Sequence, residues 1–178
     1  MARLTLFFGE RNSGKSVVAE DFALSRSVRP VYGITLPACA EFATRIRQHQ
    51  ERRGAAWEEL DLIVPSEQAR DRLDHRASQG GFILIDGLAS LFWAQYSLFG
   101  RSRGELASFG ASLVTLIVQS GPGTEWALVD CPVPLPQTPE LQWFNALMAD
   151  FYRHLREAVP HVVLLHQGAH VHVPHTLG

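Results

Sequence analysis

Lysine is all but absent from this sequence. Of 16 basic residues, 15 are arginine, and the single lysine is Lys15. Codon usage alone accounts for an arginine-rich composition. Under such a bias a lone lysine marks a place where arginine does not substitute. Cysteine is scarce as well. Cys39 and Cys131 are the only two, far apart and in no CxxC pair. That excludes a disulfide scaffold and a four-cysteine zinc site, and a reduced, cytoplasmic compartment is the expectation. Charge of one sign is missing too: the formal net charge is −2, so no basic field recruits nucleic acid or anionic lipid. No apolar run reaches the roughly 18 residues of a membrane span. The apolar stretch Leu4–Phe8 is too short for a signal-peptide core, and a glycine loop follows it at once.

What is present is a chain of 178 residues, 46% apolar and 19% charged. That suffices for one sizeable core and is not the composition of a disordered chain. Short apolar runs alternate with helical patterns. Strands are expected at Arg3–Phe8, Pro30–Thr35, Leu62–Val64, Phe82–Asp86, Glu125–Val129, His161–Leu165 and Ala169–Val173. Helices are expected from Lys15, Glu41, Ser66, Leu88, Gly104 and Pro139. Continuous apolar runs such as Phe82–Ile85 suit a sheet covered on both faces. The expected fold is a single three-layer α/β domain over residues 1–178. Its sheet is mostly parallel, with an antiparallel C-terminal edge strand joined at Gln167-Gly168.

The segment Gly9-Glu10-Arg11-Asn12-Ser13-Gly14-Lys15-Ser16 fits GxxxxGK(S/T) at every specified position. It lies between a strand and a helix, the context the motif requires, so the three-layer domain is expected to be of the P-loop NTPase type. Glycine lets backbone amides approach phosphate oxygens, and the helix N-terminus adds partial positive charge. Lys15 reaches the β- and γ-phosphates, and Ser16 is a ligand for Mg²⁺. Asp86 ends the apolar strand where a second magnesium-holding group is needed. A helix-capping role is its bland alternative.

Residues 45–53, Arg-Ile-Arg-Gln-His-Gln-Glu-Arg-Arg, place four arginines around His49. One reading is a solvated helix face. The other is a second phosphate-handling element, in which arginines clamp phosphates and His49 attacks phosphorus to form a covalent nucleotidyl intermediate.

These motifs together resemble the bifunctional adenosylcobinamide kinase/adenosylcobinamide-phosphate guanylyltransferase family of cobalamin assembly. The matching residues are Gly9, Ser13, Gly14, Lys15 and Ser16, then Glu41, Arg45, Ile46, His49 and Arg53, then Trp57, Asp61 and Asp86. The resemblance implies an enzyme that phosphorylates adenosylcobinamide with ATP or GTP. It implies that His49 then takes GMP from GTP and passes it to adenosylcobinamide phosphate, giving adenosylcobinamide-GDP. Gly9–Ser16 would hold the triphosphate, with Arg45, Gln50, Glu51, Arg52, Arg53, Asp61 and Asp86 near the nucleotide or its metal. A homotrimer is also implied. The rivals are a P-loop kinase or nucleotidyltransferase for another small alcohol, and a family descendant that binds GTP without turnover.

The sequence departs from the family pattern at several places. Glu10 and Asn12 replace a glycine and an arginine of the loop. Asp130-Cys131-Pro132-Val133-Pro134-Leu135-Pro136 stands where the family has N-E-V-G-x-G, and Ala149 and Tyr152-Arg153 replace Gly and Asn-Gln. Ala94, with Gln95 beside it, stands in place of an asparagine. Three further patterns carry simpler expectations. His170 and His172 share a strand face that permits metal ligation, against an ordinary edge strand. Trp143, Phe144, Leu147, Met148, Phe151 and Leu155 recur at helical spacing, as a core stripe or a subunit contact. Arg70, Arg72 and Arg76 with Asp71 and Asp74 suit a solvated face.

Overall fold

A computed structural model describes residues 3–40, 42–131, 138–159, 162–166 and 169–172; at Arg45 and in the last two strands it describes the backbone. The elements run β1 (Arg3–Phe8), α1 (Lys15–Arg26), β2 (Val31–Ile34), α2 (Ala43–Arg53) and β3 (Glu58–Asp61). They continue α3 (Ser66–Ser78), β4 (Gly81–Asp86), α4 (Leu88–Ser97), α5 (Arg103–Gln119) and β5 (Thr124–Asp130). The chain closes with α6 (Pro139–Ala158), β6 (Val162–His166) and β7 (Ala169–His172). One sheet forms in the order β3-β2-β4-β5-β1-β6-β7. β1 to β6 pair in parallel, and β7 runs antiparallel to β6.

Alternation along the strands builds two cores. Leu4 and Leu6 of β1, Ile83 and Ile85 of β4, and Trp126 and Leu128 of β5 face the larger one, with residues of α3, α4, α5 and α6. Phe7, Phe82, Leu84 and Val129 face the other way, with Ala19 and Ala23 of α1. Helix, sheet, helix is therefore the layering, as the sequence pattern implied. The α6 stripe is core: Phe144, Met148, Phe151 and Leu155 are buried, with Trp143 and Leu147 packed beside them. Local chemistry starts the long helices where it should. Ser102 and Glu105 form a reciprocal capping box at α5, and Thr138 caps α6 with Pro139 in its first turn.

Two expectations need correction. The third strand is Glu58–Asp61, not Leu62–Val64. It lies at the sheet edge beside β2, and its burial alternates between half-buried and exposed, so it has none of the continuous apolar character that marks a central strand. Leu62 lies just beyond it, fully buried against Gly33. Arg76 is not on a solvated face. Its side chain is 12% exposed, it donates to Gly80 O at 2.6 Å, and it stands 3.5 Å from Glu58. Arg70 and Arg72 are exposed as expected. The Pro132–Pro136 loop, the turn at Gln167-Gly168, Glu41 and the histidine side chains of the C-terminus lie outside the described residues.

Candidate active site

All the elements that matter here meet at the C-terminal ends of β1, β4 and β5. The phosphate loop leaves β1 and enters α1 at Gly14, which caps the helix in the left-handed region at φ 83°. Asn12 also has positive φ, at 64°. Gly9 N donates to Asp130 O, and Ser13 N to Glu10 O. Left-handed and right-handed residues in succession turn amides inward and make an anion cradle. Lys15 Nζ donates to Glu10 O at 3.0 Å, so the ammonium lies along the cradle.

Asp86 is the hub. Its Oδ1 accepts from Ser16 Oγ at 3.2 Å and its Oδ2 from Tyr32 OH at 3.2 Å. Its carbonyl accepts from Thr35 Oγ1. Burial and the Asp86 charge push the Tyr32 hydroxyl well above its ordinary pKa, so it remains a donor. Ser16 and Asp86 present hard oxygen donors side by side, a set that suits Mg²⁺.

His49 reaches the same place from α2. Its Nδ1 lies 3.9 Å from Asp86 Oδ2 and 3.7 Å from Glu20 Oε1. Glu20, Asp86 and His49 can bring one ligand atom each within 4.8 Å of one another. Glu20 is committed elsewhere, however. Arg52 grips it with two hydrogen bonds, at 2.5 and 2.7 Å, and Arg53 Nη1 is 4.0 Å away. Burial alone would raise the Glu20 carboxyl. The His49 imidazole 3.7 Å away and the two bonds from Arg52 outweigh it and hold the group below its ordinary value. A guanidinium thus fills the place a second cation would take.

Arg53 is buried and stacks over the Tyr32 ring at 3.6 Å, with Nη2 donating to Glu59 at 2.8 Å. A cleft that includes Asp86 is lined by Ile34, Leu36, Ile46, His49, Gln50 and Arg53 among others.

A family model described as cobinamide kinase / cobinamide phosphate guanyltransferase matches residues 5–173. The chain belongs to this family. It is therefore of a transferase family of cobalamin biosynthesis. Among solved structures it is similar to a prototypical ATPase from the type III secretion system of pathogenic bacteria. That likeness has a TM-score of 0.53 at 14% identity and covers 92% of this chain and 51% of that one. It shows a shared P-loop fold, and the chain spans about half the length of that ATPase. No curated protein matches the sequence.

Within this cobinamide kinase / guanyltransferase family chain, the phosphate loop, Ser16, His49, Arg52, Arg53 and Asp86 come together. Gln50 lines the adjoining cleft. Glu51 is exposed and the side chain of Arg45 lies outside the described residues. Asp61 stands apart: its carboxylate accepts from Ile63 N at 2.8 Å and sits 3.7 Å from Arg72. Glu20 and Tyr32 escaped the sequence reading. Glu20 had a signal, since it lies four residues after Ser16 and so on the same helix face. Tyr32, mid-strand, had none.

Two of the departures from the family pattern meet each other. Tyr152 OH donates to Asp130 Oδ2 at 2.6 Å, and Ala89 N donates to the same oxygen at 3.2 Å. Cys131 N donates to Asp130 Oδ1 at 3.0 Å. Asp130 thereby caps α4 from a neighbouring strand. Burial, opposed by these three donors, raises its pKa to about 6.

Proposed function

We propose that this chain carries out both transfers its family is described by. It phosphorylates the aminopropanol hydroxyl of adenosylcobinamide with ATP or GTP. It then moves GMP from GTP through a guanylyl-His49 to adenosylcobinamide phosphate, giving adenosylcobinamide-GDP. In this reading residues 1–178 act as one nucleotide-binding domain, and the protein works as a homotrimer.

The observation that supports this most is the meeting of His49 and the phosphate loop through one carboxylate. Asp86 bonds Ser16 on one side and faces His49 Nδ1 at 3.9 Å on the other. Residues distant in the chain converge on the place where the inner phosphates of a loop-bound triphosphate would lie. The loop amides and Lys15 bind the outer phosphates. Ser16 and Asp86 would hold Mg²⁺, which neutralises charge on the phosphate oxygens. Arg52 and Arg53 add positive charge beside the imidazole.

In the first half of guanylyl transfer an imidazole lone pair forms a bond to the α-phosphorus. The bond from that phosphorus to the β-phosphate oxygen breaks, and pyrophosphate leaves with the electron pair. In the second half a phosphate oxygen of the acceptor attacks the same phosphorus. The nitrogen–phosphorus bond breaks and the lone pair returns to the ring. Splitting one displacement into two is the usual gain of covalent catalysis.

The test is incubation with Mg²⁺ and GTP labelled at the α-phosphate. Acid-labile, base-stable label on the protein is expected, and none in His49→Ala. The Asp130–Tyr152 pair, in place of the family's residues, favours one second reading: a kinase without guanylyl transfer. Transfer of the γ-phosphate to an alcohol with no label on the protein would establish that instead. GTP binding with neither transfer would leave a non-catalytic descendant of the family.

A further inference from the structure

Helix α2 carries His49 but has almost no apolar face to hold it. Among its described side chains only Arg53 is buried, and Ile46 is half-buried. Hydrophobic burial normally fixes where a helix sits. Here the fastening is a buried charge. Glu20 of α1 is 3% exposed, is bonded twice by Arg52, and lies 4.0 Å from Arg53. The same carboxylate stands 3.7 Å from His49 Nδ1. Arg52 Nη2 lies 3.1 Å from that nitrogen too.

The two neighbours of Nδ1 are chemically opposite. A guanidinium only donates hydrogen bonds and a carboxylate only accepts them. A bare Nδ1 therefore pairs with Arg52, which leaves the ring proton on Nε2. A protonated Nδ1 pairs with Glu20, which leaves the lone pair on Nε2. Among the described residues, the other charged or titratable groups around the ring are Asp86 of β4, with Arg53 of α2 and Tyr32 of β2 behind it. Asp86 accepts from Ser16 and Tyr32 already.

Resting on the guanylyl-transfer reading, we infer that Glu20 is the positioning residue of His49: it fastens α2 through Arg52 and accepts a hydrogen bond from Nδ1–H once a nucleotide phosphate draws Arg52 away. The exchange moves one proton between ring nitrogens and leaves the charge of the ring unchanged. Nε2 then forms the bond to the α-phosphorus while pyrophosphate departs with its electron pair. The positive charge left on the ring lies beside the Glu20 carboxylate, the arrangement by which a buried carboxylate orients and stabilises a catalytic imidazole.

The test uses the full chain with ¹⁵N-labelled histidine and long-range proton–nitrogen spectra at fixed pH. The ligand is Mg²⁺ with the α,β-methylene analogue of GTP, which cannot release pyrophosphate. Ligand is expected to move the His49 proton from Nε2 to Nδ1 in the unsubstituted chain and not in Glu20→Gln. Arg52→Met is expected to place it on Nδ1 without ligand. An identical tautomer in all of these overturns the proposal. If Glu20→Gln does not fold, Arg52→Met decides alone. In labelling by GTP, Glu20→Gln is expected to slow the maximal rate by about 100-fold with KM for GTP little changed. A rise in KM at an unchanged maximal rate also overturns it. Absence of any label on the unsubstituted chain sinks the guanylyl-transfer reading, and leaves the tautomer comparison to judge Glu20 by itself.

Discussion

Two buried carboxylates flank the phosphate loop, and the fold treats them in opposite ways. Glu20 and Asp130 are 3% and 4% exposed. Glu20 faces two guanidiniums and an imidazole, and its pKa falls. Asp130 faces a phenol and two backbone amides, all neutral, and its pKa rises to about 6. Burial is common to both, so the partners set the sign. The charged region includes His49, Arg53 and Asp86, which match the family, and the neutral one includes two departures from it, Asp130 and Tyr152. Between them runs the turn at Gly87, whose N donates to Val129 O and which joins Asp86 to the helix that Asp130 caps.

The contrast breaks most sharply at Glu20. Glu20→Ala removes both hydrogen bonds of Arg52 to the buried carboxylate and the negative charge nearest Arg53 Nη1, and is expected to cost about 2–3 kcal/mol in denaturant-induced unfolding. Because the folded pKa of Glu20 is lowered, its stabilisation is complete above the unfolded value of 4.5 and fades as pH falls below it. A wild-type advantage over Glu20→Ala that persists unchanged to pH 2 would contradict the pairing.

Asp130 carries the opposite sign. Its folded pKa of about 6 exceeds the ordinary 3.8, so the folded chain binds the proton more tightly. Relative to Asp130→Asn, the wild type is expected to lose about 2–3 kcal/mol as pH rises from 4 to 6, at 1.36 kcal/mol per pKa unit. Thermal unfolding of both proteins across that range measures it. A difference that grows with pH would reverse the assignment.

Tyr152→Phe sharpens the comparison by removing one donor from Asp130. It is expected to cost about 1–2 kcal/mol at pH 7 and to move the Asp130 titration upward, since that donor lowers the carboxyl. An unmoved titration midpoint in carboxyl-resolved NMR would contradict the bond. A stability cost of similar size is expected at the junction. Gly87 has φ 83°, and a Cβ there would stand 3.2 Å from Thr35 Oγ1 and 3.3 Å from Ser90 Oγ. Gly87→Ala is expected to cost about 1–2 kcal/mol, read by chemical denaturation.

Much of the architecture was legible because periodicity reports burial. The run Phe82–Ile85 reads as a strand covered on both faces, and its residues divide between the two cores. α6 was readable from Thr138-Pro139 and its apolar stripe. β3 was not, because an edge strand needs no continuous apolar run. In the site, the loop and Asp86 announced themselves through spacing. The partnership of Asp130 with Tyr152 did not, since hydrogen bonds between distant residues leave no local period.

The alternation of strand and helix, the phosphate loop and the histidine among arginines are each written in neighbouring residues. Which carboxylate faces that histidine, and which buried acid is held charged and which is driven toward its neutral form, follow from long-range packing. Those outcomes depend on the partners that strand order brings to each group, and a carboxylate's protonation answers to those neighbours rather than to its place in the chain.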